Sequence, residues 1–321
     1  MTGRLPLLVH AFMIVICYFL VANNRVHARS INDALGTTSF SWLKAIDDAE
    51  ISAAGECLAA RDEKAALLIH PAAVAGITTG TAKLSYVSHY VDTQYGSVGF
   101  ARQIKKHCLG FRLTYVNYGE FTRTNKLGEK TGTFTAGDMG FSVNLGKQVR
   151  NDLKIGATVS YLTSKLEDFT AQAVTADLGL LFYPPFEGFT LGAVLTNLGK
   201  VTKSYSSGHN EILPVTLTVG GRKKLVHSPF TLMVDVIFPN DNDITYALGL
   251  EASVKNTLFL YTGTKSRNDI DIVNRKAETD YSGFTTFGFG IALDRVRFNY
   301  AYCPDEALED IHKITLSVIT P

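Results

Sequence analysis

Four features of the chain carry residue types that can do chemistry. Ser88-His89 sets a hydroxyl beside a base, the pair that lipid-cleaving enzymes of outer-membrane barrel type use, but neighbours in sequence are not a catalytic geometry. Asp62-Glu63 is an acidic pair flanked by Arg61 and Lys64, which reads as a solvated, locally neutralised face. Gly288-Phe289-Gly290 matches part of a dinucleotide-binding loop, yet it lies inside an alternating run with no helix after it, so small residues on one strand face explain it better. Cys57, Cys108 and Cys303 are left once Cys17 departs with the leader, an odd number without CxxC spacing, which speaks against a disulfide scaffold and a zinc site; they read as small apolar residues, with room for one pair. His89, His107, His227 and His312 fall at strand ends or turns rather than in ligand-like groups. With no nucleophile elbow, HExxH helix or phosphate-cradling loop, no catalytic, cofactor or metal site is assigned, and a non-enzymatic role is expected.

The elements that hold these residues decide what the chain is. Thirty-one basic and 30 acidic residues nearly cancel, so no basic field attracts nucleic acid. Twenty-seven Gly, 19 Phe and 14 Tyr against nine Pro and one Trp lean toward β structure. Arg4, an apolar run over 5–22 broken by His10, and Val26-His27-Ala28 form a secretory leader pattern, with cleavage expected after Ala28. A membrane anchor is the alternative for this run, and no later run is long enough for a helical membrane protein.

From Thr81 on, large apolar residues alternate with small ones. Phe230, Leu232, Val234 and Val236 alternate with Thr231, Met233 and Asp235; Phe287, Phe289, Ile291 and Leu293 alternate with Thr286, Gly288, Gly290 and Ala292. Fourteen strands are predicted, near 81–89, 95–105, 107–118, 133–148, 151–164, 171–183, 188–198, 214–224, 229–238, 243–254, 256–265, 282–292, 294–303 and 311–319. Alternate turns are short, as at 106–107, 148–150, 184–187, 225–228, 255–256 and 293–295, whereas 119–132, 199–213 and 265–281 read as long polar loops. An even strand number, strands of about ten residues and this turn asymmetry describe an antiparallel transmembrane β-barrel with short periplasmic turns and long outer loops. A β-sandwich would turn a Lys- and Glu-rich face to water; here the second face is Gly, Thr and Ser with isolated Lys83, Arg102, Arg112, Asp177, Asp235 and Glu251, which suits a lumen. Aromatics gather near strand ends, among them Tyr90, Tyr95, Tyr118, Phe182 and Tyr302, where a girdle belongs.

The chain thus divides into a signal peptide at 1–28, an N-terminal segment at 29–80 placed in the periplasm, and a barrel at 81–321. In the middle segment 47–68 is rich in Ala, Glu, Lys and Leu and is expected to be helical until Pro71 stops it, giving a plug for the periplasmic mouth.

Two stretches resemble a known family. One holds Gly55, then Asp62-Glu63, then His70-Pro71-Ala72, similar to the small-residue run, acidic pair and Asn-Pro-Ala of the PorV/PorQ family. The other holds Asn117-Tyr118-Gly119-Glu120-Phe121, followed by Gly132-Thr133-Phe134 and Asp138, and is similar to the strand end and strand start of the PorQ branch. His70 in place of Asn and the C-terminal Ile319-Thr320-Pro321 depart from the pattern.

The resemblance implies a FadL-like fourteen-stranded barrel with a short N-terminal helical plug. It implies a non-enzymatic outer-membrane component of the type IX secretion system, close to lipopolysaccharide. Its implied partners are a PorZ-like surface protein and a PorU/PorV-like attachment complex, held through the outer loops. The other reading of such a barrel is a transporter of long-chain fatty acids or other hydrophobic compounds, which the small, polar lumenal face makes less expected.

Overall fold

The computed structural model describes residues 29–30, 38–61, 66–206, 211–271, 276–305 and 309–320, and side chains at these positions apart from 29–30 and 267–284. The expected leader and Asp62-Glu63 lie outside the described residues.

Period-two alternation gives each strand one apolar and one small-polar face, and only closure into a ring lets every backbone group pair while the two faces see different surroundings. Fourteen strands do this: β1 Gly80–Ser88, β2 Gln94–Ile104, β3 His107–Thr124, β4 Lys130–Arg150, β5 Leu153–Leu166, β6 Phe169–Phe182 and β7 Phe189–Lys203 make one half. The other half is β8 Thr216–Lys224, β9 Phe230–Pro239, β10 Thr245–Val254, β11 Leu258–Asp271, β12 Lys276–Leu293, β13 Val296–Cys303 and β14 Ile311–Thr320. Each strand pairs antiparallel with its sequence neighbours, and the ring closes where Thr320 meets Gly80 and His312 meets Ser88. A two-residue strand, Arg29–Ser30, pairs with β12 at Ala277 and Lys276.

The outside of the ring carries Leu84, Phe111, Tyr115, Phe141, Leu145, Leu178, Leu260 and Phe287, all exposed. An exposed apolar band on a closed barrel is the surface that a lipid hydrocarbon layer covers. The inside carries the buried Thr114, Asn144, Thr158, Ser160, Thr175, Thr231, Thr286 and Thr315.

One rim has the short turns, and five of the six span two to five residues between strands, at 105–106, 151–152, 225–229, 255–257 and 294–295. The opposite rim differs from expectation. The polar loops foreseen at 119–132 and 265–281 are largely sheet: β3 runs to Thr124 and β4 starts at Lys130, while β11 reaches Asp271 and β12 starts at Lys276. The ladder continues because Phe121 faces Phe134, Thr122 faces Thr133 and Arg123 faces Gly132. Sequence polarity marks where a hairpin leaves the membrane, not where its hydrogen bonds stop. Between β7, which ends at Lys203, and β8, which starts at Thr216, the described residues 204–206 and 211–215 lie outside the strands.

The N-terminal segment is the second correction. It does not sit at the short-turn mouth but threads the whole lumen. At the long-connection rim Ser39 N donates to Ile212 O at 2.9 Å, and Asp241 accepts from Thr38 and pairs with Lys44 at 2.7 Å. The chain then descends through the barrel and enters β1 at the other rim. Among the described residues of the expected helix over 47–68, the helical part is α1, Ala49–Ala53, which lies between 3-10 turns at Ser41–Lys44 and Pro71–Gly76. Asp48 caps α1 by accepting from Ile51 N at 3.0 Å, and Gly55 ends that stretch with φ +68°. Beyond it the wall supplies what a helix would have supplied: Gly55 N donates to Thr286 Oγ1, and Leu58 N and Ala59 N both donate to the Asp235 carboxylate at 2.6 and 2.8 Å. Helix propensity loses where Gly55, Leu58 and Ala59 find acceptors on the wall in place of an intrahelical carbonyl.

Candidate functional site: the plugged lumen

The first half of the plug, residues 47–61, is held by charge. Asp47 pairs with Arg112 of β3 at 2.7 Å and Asp48 with Lys83 of β1 at 2.5 Å. Glu50 reaches Arg297 of β13 at 3.0 Å and Arg61 at 3.4 Å, and Arg61 in turn reaches Glu251 of β10 at 3.4 Å. Glu56 pairs with Lys265 of β11 at 2.6 Å, while Lys313 of β14 donates to Ile46 O and Ser52 Oγ at 2.7 and 2.9 Å. An acidic plug thus fits a basic wall, with the signs reversed around Arg61.

Burial opposes every one of these charges, and the partners decide the outcome. At Asp47, Arg112, Ser97 and Lys83 outweigh burial and hold the carboxyl below its ordinary value. At Glu56, Lys265 and Lys313 do the same. Glu50 goes the other way: burial, with Glu251 and Asp48 nearby, pushes its carboxyl up despite Arg297 and Arg61.

Close backbone packing seats the second half, residues 66–77. Lumenal glycines form its bed. A Cβ on Gly156 of β5 would lie 2.1 Å from Pro71 O, and one on Gly146 of β4 would lie 2.7 Å from Ala75 N. Gly99 and Gly110 leave room for the Leu68 side chain. The same device recurs in the first half, where Gly263 of β11 lies against Ala54 and Gly55, and Gly192 of β7 against Ala59. Gly288 belongs to the same set, since its Cβ would meet Ala53. These glycines make room for the plug, which is their role in place of a nucleotide loop.

His70 and Pro71 make one turn of this second half. The fully buried His70 caps Pro71–Gly76 by accepting from Ala72 N on Nδ1 at 3.1 Å, which puts the ring proton on Nε2. Burial pushes its pKa down to about 4, so the ring is neutral.

Above the plug, toward the long-connection rim, a cavity of about 340 Å³ remains between plug and wall. Trp42, Leu43, Ile46, Leu58, Leu162 and Val194 give it apolar surface, and Thr175, Thr196, Asn197, Asp177 and Arg112 give it polar points. A second hollow, about 610 Å³, lies below the plug at the short-turn rim, beside Ile77, Thr79, Asn256 and Arg295. The first matches the size and mixed lining of small-molecule sites.

The second sequence motif is brought together as one bulged hairpin. The register between Asn117/Gly137 and Glu120/Thr135 slips by one residue, with Gly119 at φ +80° and its N–H donating to Asn117 Oδ1 at 3.0 Å. Tyr118 donates to Asp138 at 2.5 Å, Ser164 bonds the other Asp138 oxygen and Tyr205, and Phe121 stacks on Phe134 at 5.3 Å. Gly132 pairs with Arg123 near the hairpin tip. The motif is therefore a structural joint at the outer end of β3 and β4, separate from Gly55, His70 and Pro71 in the plug.

Other expectations resolve simply. Cys57, Cys108 and Cys303 are buried free thiols, and burial raises Cys57 well above its ordinary value. No hydrogen bond among the described residues joins Ser88 to His89, whose ring instead packs on Tyr90 at 3.9 Å. Lys83, Arg112, Asp235 and Glu251 face the plug as expected, but Arg102 is exposed, on the same side of β2 as Phe100 and Ile104. The sequence reading missed Asp47, Asp48, Glu50 and Glu56, and their partners Lys265, Arg297 and Lys313. The available signal was opposite charge on two segments, without any means of matching them.

No model of a known protein family matches the chain, and no curated protein does. The PorV/PorQ resemblance therefore rests on the quoted residues alone. Solved structures do match. The toluene transporter TbuX of Ralstonia pickettii has a TM-score of 0.60 at 13% identity, covering 88% of this chain and 100% of that one. The toluene transporter TodX of Pseudomonas putida scores 0.60 at 12% identity, covering 85% and 98%. The monoaromatic hydrocarbon channel CymD scores 0.59 at 12% identity, covering 85% and 97%. The fold is a FadL-like closed fourteen-stranded antiparallel barrel.

Proposed function

We propose that this protein is an outer-membrane channel, not an enzyme, that admits small hydrophobic molecules past a plug in its lumen. The observation that carries this is the cavity of about 340 Å³ between the plug and the wall, where Trp42, Leu43, Leu162 and Val194 supply apolar surface among isolated polar groups. A compact apolar solute gains by leaving water for such a site, and the polar points orient it. The likeness of fold to proteins described as toluene transporters and hydrocarbon channels supports this choice over the secretion reading. The test is uptake of a labelled monoaromatic hydrocarbon, and separately of a long-chain fatty acid, into cells expressing the chain. Uptake should exceed that of cells without it and fall when Thr196→Trp fills the cavity. Equal uptake with and without the chain would sink the proposal.

A second reading, an anchor of the type IX secretion system holding a PorZ-like surface protein and its attachment complex, draws on the bulged β3–β4 hairpin. Tyr118, Asp138 and Ser164 brace this hairpin, and its tip at 125–129 is exposed. Replacing 121–134 with a short Gly-Ser turn should then free a surface partner while leaving the barrel inserted. Cargo attachment unchanged by that replacement would remove this reading.

A further inference from the structure

The two rims of the barrel differ in charge. Over the short-turn rim, at 102–107, 147–152, 184–188, 222–228, 254–258 and 293–296, eight Lys and Arg are exposed against two exposed carboxylates, Glu187 and Asp294. Of the eight, Arg150 is neutralised by Asp152 at 2.8 Å. The other seven, Arg102, Lys105, Lys106, Lys147, Lys224, Lys255 and Arg295, have no carboxylate at ion-pair distance among the described residues. The opposite rim balances six exposed basic residues, such as Lys126 and Lys130, with six exposed acidic ones, such as Glu129 and Asp310, over its described residues. The near-neutral whole therefore hides a one-sided ring of positive charge.

The same turns expose large apolar side chains. Ile104, Val149, Phe186, Val226 and Leu293 stand at or beside the tips, Leu293 at 65% exposure. Lys147 lies between Leu145 and Val149 on one outward-facing edge of β4, and Arg102 between Phe100 and Ile104 on β2. Lysine stems that lie along apolar surface and lift their charge to a polar layer are the arrangement of a membrane interface. A soluble acidic partner would satisfy the charges but leave these tips in contact with a polar surface. A layer of phosphate headgroups above acyl chains satisfies both at once.

We infer that the short-turn rim binds the anionic headgroups of the phospholipid leaflet it meets. The inference rests on the membrane-barrel reading and adds to it a lipid preference. Fixed positive charge at headgroup depth enriches anionic lipid around the barrel, and salt screens the effect because the ring is exposed. It also sets the depth of the barrel, since moving the ring into the hydrocarbon or away from the phosphates is unfavourable in both directions.

The test places the full chain in nanodiscs of equal parts phosphatidylcholine and phosphatidylglycerol, then extracts it and quantifies retained lipid by mass spectrometry. Phosphatidylglycerol should be enriched about threefold, and high salt should erase the enrichment. The variant K105S/K106S/K147S/K255S should lose most of the enrichment, whereas K126S/K130S on the other rim should match the parent. These turn substitutions touch no buried contact, and heat-modifiable gel mobility verifies that the variants are folded. Equal retention by the parent, or enrichment that survives the four-fold substitution, would overturn the inference. So would salt-sensitive binding of polyglutamate with no lipid enrichment, which would point to an acidic protein instead. A chain that never enters the disc would overturn the barrel reading itself and this inference with it, so the two failures are told apart.

Discussion

The two halves of the plug are seated in one lumen by different physics. Residues 47–61 lie among Lys83, Arg112, Lys265, Arg297 and Lys313, where long-range attraction offsets the cost of burying carboxylates. Residues 66–77 carry only His70 as a titratable group among the described positions and are held by shape, backbone against glycine. Charge tolerates small displacements and fails when a partner is removed. Shape tolerates neutral chemistry and fails when a single methyl is added. A plug built this way has one end that is tethered and one that is fitted, and the fitted end is the one that can be loosened without leaving a buried charge unpaired.

The largest expected effect breaks the tethered half. Arg61→Ala leaves Glu251 buried without an ion-pair partner and Glu50 with Arg297 alone, and should cost about 3–5 kcal/mol of plug stability, read as faster maleimide labelling of the buried Cys57. Replacing Glu50, Arg61, Glu251 and Arg297 together by Met or Leu removes the whole charge cluster and should restore most of that protection. Labelling as fast as in the single variant would show that the charges do more than pair.

Next in size is pH, which separates the halves. His70 has its folded-state pKa lowered to about 4 from an ordinary 6.5, so its contribution is full above about 6.5 and is lost as pH falls toward 4, roughly 3 kcal/mol at the limit. Asp47 and Glu56, held below the ordinary carboxylate range, release the tethered half only at lower pH. Hydrogen exchange should therefore show amides of 66–77 opening before those of 49–59 on acidification. Simultaneous opening would merge the halves into one unit, and His70→Asn should remove the first step.

Gly156→Val should cost about 1–3 kcal/mol by driving a side chain into Pro71 O, loosening 66–77 and leaving Cys57 protected. Protease cleavage confined to the fitted half is the expected readout. Lys44→Ala is the smallest change. Its ion pair with Asp241 is partly exposed, and its loss should cost less than about 1 kcal/mol, within reach only of a thermal melt.

Much of the wall was legible. Strand faces follow from alternation at Phe287, Phe289 and Ile291, and the short turns fall where Lys255-Asn256 and Leu293 to Arg295 interrupt it. The ring of fourteen follows from their number and from the need to leave no edge. Less of the plug was legible. Ala, Glu and Leu over 47–68 signal a helix in water, and nothing local says that Asp235, Thr286 and Thr315 will take its hydrogen bonds instead. The Asn117 to Phe121 motif was visible as a pattern, but its role as a bulge pinned by Tyr118 on Asp138 appears only when β3 and β4 are paired.

By itself the sequence determined the barrel: an alternation of period two is a property of one strand, and hydrogen-bond closure makes it a property of the whole ring. Only the tertiary structure decided where the N-terminal segment runs, which charges meet, and that a cavity is left beside Trp42 and Leu162. Those outcomes depend on pairs such as Glu50 with Arg297 and Ala59 with Gly192, separated by well over a hundred residues. No local rule reaches that far, because the lumen that brings them together exists only after the ring has closed.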